Sequence, residues 1–313
     1  MNTYHFPDKA ITARLSQSIT GQLSWRLALQ WGLFPFVLAL AGLASWGIYY
    51  GLMPPMAAQM GMFAIALLAV IIAEHVIPFE HRWRQTASIE RRVDATSLVV
   101  LMTLIDPMLK QGVMPLLLSL TVTVANPEGG LGWFPTEWPV PAQLVLAAVV
   151  AEFGQYVMHR AGHSQRWMWS VHSFHHSPPR LYWLNGFRVN PLNVAWHKLS
   201  GLFILMLIGT PESTLHMLIL FGTVVSVFQH ANADLRYHGW NRFLSTADLH
   251  RWHHSADRQE GQCNFGSLVM VWDRLFGTYR RPQAQAPIQV GVEGLSTTPD
   301  GYLTWLRRST GLG

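Results

Sequence analysis

The chain has 313 residues, of which 50% are hydrophobic and 12% are charged. Soluble domains usually carry about 25% charged residues, so this composition predicts a protein solvated in part by lipid. A single cysteine, Cys263, excludes an intramolecular disulfide framework and a metal site built from several cysteines. The cations behind the net charge of +5 flank apolar segments, which is typical of contact with anionic membrane headgroups and not of nucleic-acid binding.

The N-terminal segment, residues 1–30, is mixed polar and lacks the charged start, short apolar run and cleavage site of a signal peptide. Two apolar runs follow at 31–52 and 56–77, and each has the roughly 20 residues that a helix needs to cross a bilayer. Basic residues lie before the first run and after the second, so the positive-inside rule predicts that both flanks are cytoplasmic. We therefore expect a cytosolic N-terminal segment followed by two transmembrane helices.

The next apolar stretch, residues 98–124, is interrupted by Asp106, Pro107 and Lys110. One kinked span and a tight hairpin both fit this pattern, and we favour the kinked span because proline kinks a helix without ending the apolar run. The following residues, 126–141, contain no Lys or Arg, which predicts a connection on the outer face of the membrane.

Two further apolar stretches lie on either side of the first histidine-rich part of the chain. Residues 142–158 predict a helix that returns to the cytoplasmic side, where the histidines begin. Residues 199–229 are broken at 209–212 into two arms, each shorter than a comfortable span, so a re-entrant hairpin and two short spans are both open. The sequence thus predicts an all-α integral membrane protein with about four transmembrane helices plus a hairpin.

Histidine is the unusual residue of this sequence, with 15 copies. Eight of them form three clusters whose members are three or four residues apart, a spacing that places side chains on one face of a helix: His159-Arg-Ala-Gly-His163, His172-Ser-Phe-His175-His176 and His250-Arg-Trp-His253-His254. Imidazole suits zinc, copper, iron and nickel, and eight ligands exceed the four of one zinc ion, so we expect two metal ions.

Two other histidines are candidates for the same site. His230 is the ninth expected ligand because it lies where the apolar stretch 199–229 ends. His238 is equally well interpreted as a ligand and as a surface residue. The predicted topology returns every cluster to the same, cytoplasmic, side of the membrane.

These motifs resemble those of the fatty acid hydroxylase/sterol desaturase superfamily of membrane enzymes. The resemblance covers about 143–280 and rests on the three histidine boxes in order, the His230-Ala-Asn232 element between the second and third, and the stretches 264–266 and 272–279. It implies a non-haem di-iron centre on a cytosolic helical cap above about four membrane helices. We therefore divide the chain into residues 1–30, the transmembrane part 31–142, the catalytic region 143–280 and a polar tail, 281–313.

The resemblance also implies an activity. It implies that the two iron ions use O2, with electrons from a separate reductase, to hydroxylate or desaturate a C–H bond of a lipid, sterol or other hydrophobic substrate taken from the bilayer. Its ligands would be the nine histidines, which are His159, His163, His172, His175, His176, His230, His250, His253 and His254. Hydroxylation and desaturation both stay open, as do fatty acyl, sterol, carotenoid and headgroup-linked lipid substrates.

One element departs from the family pattern. The chain reads Arg188-Val-Asn190-Pro191 where the family often has a histidine before the proline, and Asn190 is a poor iron ligand. His197 could replace that histidine, although a position on a helix surface fits it better. Three residues are candidates to hold the second N–H of a ligating histidine, namely Glu152, which lies two helical turns before the first box, Asn232 and Asp273.

Two other classes of protein can use many histidines. A zinc-dependent membrane hydrolase would need a catalytic carboxylate beside its ligands, as in HExxH, and none of the clusters has one. A metal transporter would hold its ligands near the middle of the membrane, whereas these clusters follow the ends of the apolar runs. The oxygenase is therefore the favoured function.

Overall fold

The computed structural model describes residues 9–85, 87–124, 130–282, 287, 289–292 and 301–310. Every regular element in these residues is a helix, and β-pairing is confined to three isolated bridges. The predicted all-α class is confirmed for this part of the chain.

The first two helices form an antiparallel pair. Helix α1 spans Lys9–Tyr49 and α2 spans Pro55–Val76. Proline suits the first turn of α2 because that turn leaves its N–H groups unpaired in any case. We expected residues 1–30 to form a separate polar segment, and the helix already begins at Lys9 within it. Residues 9–30 contain no proline that would end the helix. Residues 1–8 lie outside the described residues.

The third helix, α3, runs without interruption over residues 88–124 and is not a hairpin. It consists of α-helical parts at Ser88–Val100, Asp106–Met108 and Met114–Val124, separated by two π-helical turns at Leu101–Ile105 and Leu109–Val113. Each π turn ends two residues before a proline, Pro107 or Pro115. A proline cannot donate the usual helical hydrogen bond and clashes with the carbonyl four residues earlier, so a locally wider turn accommodates it.

The two charged residues in the apolar part of this helix, Asp106 and Lys110, are paired. Lys110 Nζ lies 2.7 Å from Asp106 Oδ2, and Lys198 Nζ lies 2.8 Å from Asp106 Oδ1. The aspartate thus joins α3 to a later helix, and the polar interruption seen in the sequence is an inter-helix contact.

The histidine-rich region is built on four helices. They are α4 (Val140–Ser164), α5 (Arg166–His176), α6 (Pro191–Leu207) and α7 (Glu212–Gln229). Helix α4 continues beyond the predicted end at residue 158 and carries the whole first histidine box. Helices α6 and α7 are the two arms of the predicted hairpin, joined by a turn in which Gly209 has a φ of +83°.

Helices α4 and α6 approach closely because small residues face each other. A Cβ added at Gly154 would lie 2.6 Å from the carbonyl oxygen of Ser200, and one added at Gly201 would lie 2.4 Å from that of Ala151. Such contacts let helix backbones pack directly against each other, as is common in membrane proteins.

The remaining helices are short: α8 (Ala247–His253), α9 (Arg258–Gly261), α10 (Val271–Leu275) and α11 (Tyr302–Thr310). Helix α11 lies within the segment that we expected to be a polar tail. Its Tyr302 and Trp305 are buried against Phe174 of α5, with ring centroids 5.7 and 5.5 Å away. Residues 301–310 of the predicted polar tail thus form a helix, and the two aromatic residues give it an apolar face.

Five helices of the described residues are long and apolar enough to cross a membrane, and the chain is a multi-pass integral membrane protein. These spans are Ser24–Tyr49, Pro55–Val76, Ser88–Thr121, Val140–Ser164 and Glu212–Gln229. Helices α1, α2 and α7 share the largest apolar core, which includes Phe34, Val70 and Val224.

The segment after α7 is tied to the ends of α1 and α2. The backbone N–H of Arg236 donates to the Gln30 carbonyl at 2.7 Å, and that of Asp234 donates to the Ile77 carbonyl at 2.8 Å. The start of the apolar part of α1, the end of α2 and the end of α7 therefore lie at one end of the helix bundle.

Candidate metal centre

All nine histidines predicted as ligands meet at this end of the bundle, in two adjoining groups. The five-histidine group contains His159, His163, His172, His176 and His253, and the four-histidine group contains His175, His230, His250 and His254. Within each group the potential ligand atoms all lie within 4.8 Å of one another. All but His175 are buried, so water has little access to these nitrogens.

The second and third histidine boxes each contribute to both groups. On α5, His172 and His176 are one turn apart and face the five-histidine group, while His175 faces the four-histidine group. The third box reverses this division. His250 and His254 face the four-histidine group and His253 faces the other. Each HxxHH box thus contributes two histidines to one group and a single histidine to its neighbour.

Oxygen acceptors fix the orientation of five of the imidazole rings. Nδ1 of His159, His253 and His175 lies 2.7, 2.9 and 3.2 Å from the backbone carbonyl oxygens of Phe265, Cys263 and Arg188. A carbonyl oxygen can only accept, so each Nδ1 carries the proton and donates it. In a neutral imidazole the other nitrogen, Nε2, then presents a lone pair.

Two asparagine side chains accept the Nδ1 proton of the other two oriented rings. Nδ1 of His172 lies 2.8 Å from Oδ1 of Asn193, and Nδ1 of His230 lies 2.9 Å from Oδ1 of Asn185. Sequence reasoning missed both asparagines. Asn193 lies three residues after Asn190, on the same helix face, and only this spacing in the sequence could have indicated Asn193.

The Nε2 lone pairs converge on one another. Nε2 of His172 lies 3.1 Å from Nε2 of His159 and 3.1 Å from Nε2 of His176. In the other group, Nε2 of His230 lies 3.3 Å from that of His175 and 3.0 Å from that of His250. In the His159–His172 and His175–His230 pairs, both Nδ1 atoms donate to oxygens, so two lone pairs face each other with no proton between them.

This arrangement fits a bound cation. Two nitrogens held about 2.1 Å from one ion at angles between ~90° and ~110° lie roughly 3.0–3.4 Å apart, which is the range of these contacts. Nε2 of His163 and of His253 is buried without a hydrogen-bond partner among the described residues, as expected for a nitrogen that binds a metal. The donor set therefore accommodates one ion in each group.

The histidines beyond the membrane-spanning segments are held neutral. Burial lowers the pKa of His175 to about 4. Burial first, and neighbouring histidines second, hold the pKa well below its usual range for His172, His176, His230, His250, His253 and His254. Neutral imidazoles are the form that binds metals.

Glu152 and Asp273, which we expected to hold a histidine N–H, instead hold a loop. Glu152 accepts from the backbone N–H groups of residues 267–269 at 2.5–3.0 Å. Asp273 accepts from the N–H groups of Phe265 and Gly266 at 2.8 and 2.7 Å. The expectation of direct contact is wrong because this loop returns to α4 and occupies the position. Both carboxylates act through the Phe265 carbonyl, which receives the His159 proton.

Asn232 likewise makes its contacts away from the histidine rings. Its Nδ2 donates to the Glu80 carbonyl at 3.0 Å, its Oδ1 accepts from the Glu80 N–H at 2.9 Å, and its backbone N–H donates to Glu74 at 3.0 Å. The hypothesis that Asn232 holds a histidine is therefore wrong; it fixes the backbone that follows His230 to the end of α2.

The other uncertain residues lie at different distances from the two groups. His238 is exposed, stacks on Trp31 and joins neither group. His197 is partly buried, with its ring centroid 4.9 Å from that of His159, but it belongs to neither group. Asn190 accepts from the Leu192 N–H at 2.9 Å and so caps the start of α6.

Arg188, two residues before Asn190, links the centre to α3. Its buried guanidinium pairs with Asp94, which also accepts from the hydroxyl of Tyr182. Because the Arg188 carbonyl receives the His175 proton, this ion pair positions a ring of the four-histidine group.

Comparison with known proteins identifies the same stretch of chain. The sequence model of the fatty acid hydroxylase family matches residues 144–278. An ornithine lipid hydroxylase of Rhizobium tropici is 33% identical over 162 residues, which are 52% of this chain and 49% of the relative. The alkylglycerol monooxygenase of Homo sapiens is 26% identical over 148 residues, 47% of this chain and 32% of the relative. The matches thus span half or less of these relatives. No solved structure matches the chain.

The matched residues contain all nine histidines of the two groups, the loop that orients His159, and the side chains of Asn185 and Asn193. The resemblance inferred from the histidine boxes is confirmed, since residues 144–278 of this chain match the sequence model of the fatty acid hydroxylase family.

Proposed function

We propose that the chain is a membrane-bound di-iron oxygenase that hydroxylates a C–H bond of a lipid, with the nine histidines as ligands of two iron ions. The observation that carries the proposal is the convergence of Nε2 lone pairs in two adjoining groups made of histidine alone. The five-histidine group would hold one ion and the four-histidine group the other.

Two bound iron ions would supply the reduction of O2 that C–H oxidation requires. In the overall reaction one oxygen atom enters the C–H bond as a hydroxyl group and the other leaves as water. Two electrons and two protons are consumed, and the electrons come from a separate reductase. The residues of the chain bind the ions, fix the ring tautomers through the Nδ1 contacts and exclude bulk water by burial.

Hydroxylation is favoured over desaturation because the relatives are a hydroxylase and monooxygenases. A lipid substrate agrees with the position of the centre at the ends of the candidate spans, where a chain lying in the bilayer can approach without entering water. We place this end of the bundle on the cytoplasmic side, since basic residues precede the apolar part of α1 and follow the end of α2 there.

The rival functions are less well supported. A hydrolase would need a carboxylate among or beside the ligands, but neither group includes Asp or Glu. A transporter would hold its ligands at the middle of the membrane, whereas His159 and His163 lie in the last two turns of α4 and His230 follows the end of α7.

The test is metal analysis of protein purified anaerobically in detergent. We expect about two iron ions per chain in the wild type and a clear loss in His172→Ala and His250→Ala, because each removes a ligand from one group. His216→Ala is the matched control, since this histidine lies in the first turn of α7 beside Glu212 and far along the helix from His230. One zinc ion per chain, or equal metal in all variants, would refute the proposal.

The reaction itself is tested in cells that express the wild type or His172→Ala and are grown under isotopically heavy O2. Lipid extracts of the wild type should contain a product that has gained one heavy oxygen atom, and the variant should lack it. A product that has lost two hydrogens and gained no label would assign desaturation instead.

A further inference from the structure

A second feature of this end of the molecule is a cavity that the metal centre does not use. Its volume is about 830 Å3, and none of the nine histidines lines it. We call it the arginine pocket, because Arg236, Arg242, Arg274 and Arg281 line it. Helix α8 separates it from the four-histidine group, since Asp248 of that helix faces the pocket and His250 faces the metal centre.

The pocket has an excess of positive charge that its own carboxylates do not neutralise. Asp248 is engaged by Arg251, whose Nη1 lies 3.0 Å away, and Asp234 accepts from Gln30 at 2.6 Å. No carboxylate of the described residues forms an ion pair with Arg242 or Arg281, and both side chains are exposed. Two guanidinium groups are therefore available to an anion.

The pocket lies beside the first turns of one candidate span and the end of another. His238 in its wall stacks on Trp31 of α1 with ring centroids 4.5 Å apart, and Trp31 lies inside the span that begins at Ser24. Phe79, another wall residue, follows the end of α2 by three residues. Tryptophan within the first turns of a span is typical of the boundary between headgroups and acyl chains.

Exposed aromatic side chains lie next to residues that line the pocket. Trp31, Trp240 and Phe243 are 50%, 40% and 67% exposed, and Trp240 and Phe243 flank Arg242 in sequence. Exposed aromatic residues beside free cations suit a molecule with an anionic head and an apolar body.

We propose that the arginine pocket binds the phosphate group of an anionic phospholipid, with Arg242 and Arg281 as its direct ligands. Guanidinium groups bind phosphate oxygens with two parallel hydrogen bonds, and the acyl chains would lie along Trp31 and Phe243. A concave pocket at the membrane surface favours a lipid over an acidic redox protein, which would dock on a broader face. The site is separate from the metal centre and does not depend on the proposed reaction.

The test is binding of short-chain phosphatidylglycerol to the purified full-length protein by calorimetry, with short-chain phosphatidylcholine as the neutral comparison. The variant is Arg242→Gln combined with Arg281→Gln. Arg166→Gln combined with Arg258→Gln removes the same charge from exposed residues outside the pocket and is the control. Iron content and the thermal unfolding midpoint check that each variant is folded.

We expect phosphatidylglycerol to bind on the order of 10- to 30-fold more weakly to the pocket variant, since each cation near a membrane surface contributes about a factor of five, and the control variant to bind like the wild type. Equal binding to the pocket variant and the wild type would overturn the proposal. Displacement of the lipid by an equal concentration of inorganic phosphate would show a site for soluble anions instead. Unchanged lipid binding together with slower reduction by an acidic ferredoxin would show a protein-docking site and overturn it as well.

Discussion

The rings of His176 and His254 stack with centroids 4.1 Å apart and an interplanar angle of 20°, although they belong to different histidine groups. They come from different helices, since His176 ends α5 and His254 follows α8. One stacked pair of imidazoles therefore joins the two groups. Two ions held by the groups would be immediate neighbours, as joint reduction of one O2 molecule requires.

The acceptor of the His172 proton should control metal affinity. Replacing Asn193 by Leu removes the oxygen that accepts from Nδ1–H of His172. The ring can then adopt the other tautomer, in which Nε2 carries the proton and offers no lone pair to a metal. We expect metal affinity to fall about 10- to 100-fold. Asn193→Asp keeps an oxygen at the same place and should bind metal better than Asn193→Leu. Titration of the metal-free protein with Fe²⁺ measures the difference, and equal affinity in the two variants would contradict the role of Asn193.

The Glu152 carboxylate should matter for stability and for the metal centre together. Glu152→Gln replaces one of two acceptor oxygens by an NH2 group that faces backbone N–H donors, so we expect a loss of about 2–5 kcal/mol in unfolding free energy. His159 should also lose its position, because the Phe265 carbonyl moves with the loop. Unfolding in detergent and iron content are the measurements. Glu137→Gln, an exposed residue, is the control, and a similar effect there would argue against this account.

The close crossing of α4 and α6 gives a steric prediction. Gly154→Ala places a methyl group 2.6 Å from the Ser200 carbonyl oxygen, and we expect it to destabilise the fold by about 1–3 kcal/mol. The same change at Gly222 of α7 meets no atom within 4 Å and should be neutral or slightly stabilising, because alanine favours helix. Thermal unfolding of the two variants provides the comparison. Equal midpoints would mean that the crossing tolerates a wider spacing.

The one cysteine should be unreactive in the folded protein. Burial raises the pKa of the Cys263 thiol from 9.0 to about 12, so its thiolate fraction at pH 8 falls about a thousandfold. We expect iodoacetamide to leave the native protein unmodified over hours and to label it within minutes after unfolding in dodecyl sulfate. Mass spectrometry distinguishes the two, and rapid labelling of the native protein would contradict the buried position.

The apolar helices and the grouping of histidines could be predicted from local patterns. The run at 56–77 became α2 at Pro55–Val76, because an uninterrupted apolar segment preceded by prolines has clear limits. Eight of the nine histidines were found because spacings of three and four residues indicate a shared helix face. His230 was found because it lies where the apolar stretch 199–229 ends. Spacing does not indicate which neighbouring element a helix face contacts. The division of the nine histidines into groups of five and four depends on how the side chains of α5 and α8 meet.

The supporting contacts were harder to predict because they join distant parts of the chain. Glu152 shares a helix face with His159, so sequence alone suggested a direct bond, but the folded chain brings residues 267–269 between them. Asn185 lies in a short 3-10 helical turn and Asn193 lies in the first turn of α6. Neither residue belongs to a recognisable sequence motif. Helix α11 was missed since Tyr302 and Trp305 are two apolar residues in a polar segment.

The two halves of the centre differ in how much chain must be ordered to form them. Four histidines of the five-histidine group lie within residues 159–176, on the consecutive helices α4 and α5, so only a short loop must close to bring them together. The four-histidine group draws on residues from 175 to 254 and forms only after a much longer loop has closed, with a larger entropic cost. Partial unfolding of the region after α7 therefore dismantles the second half first, while most of the first half survives.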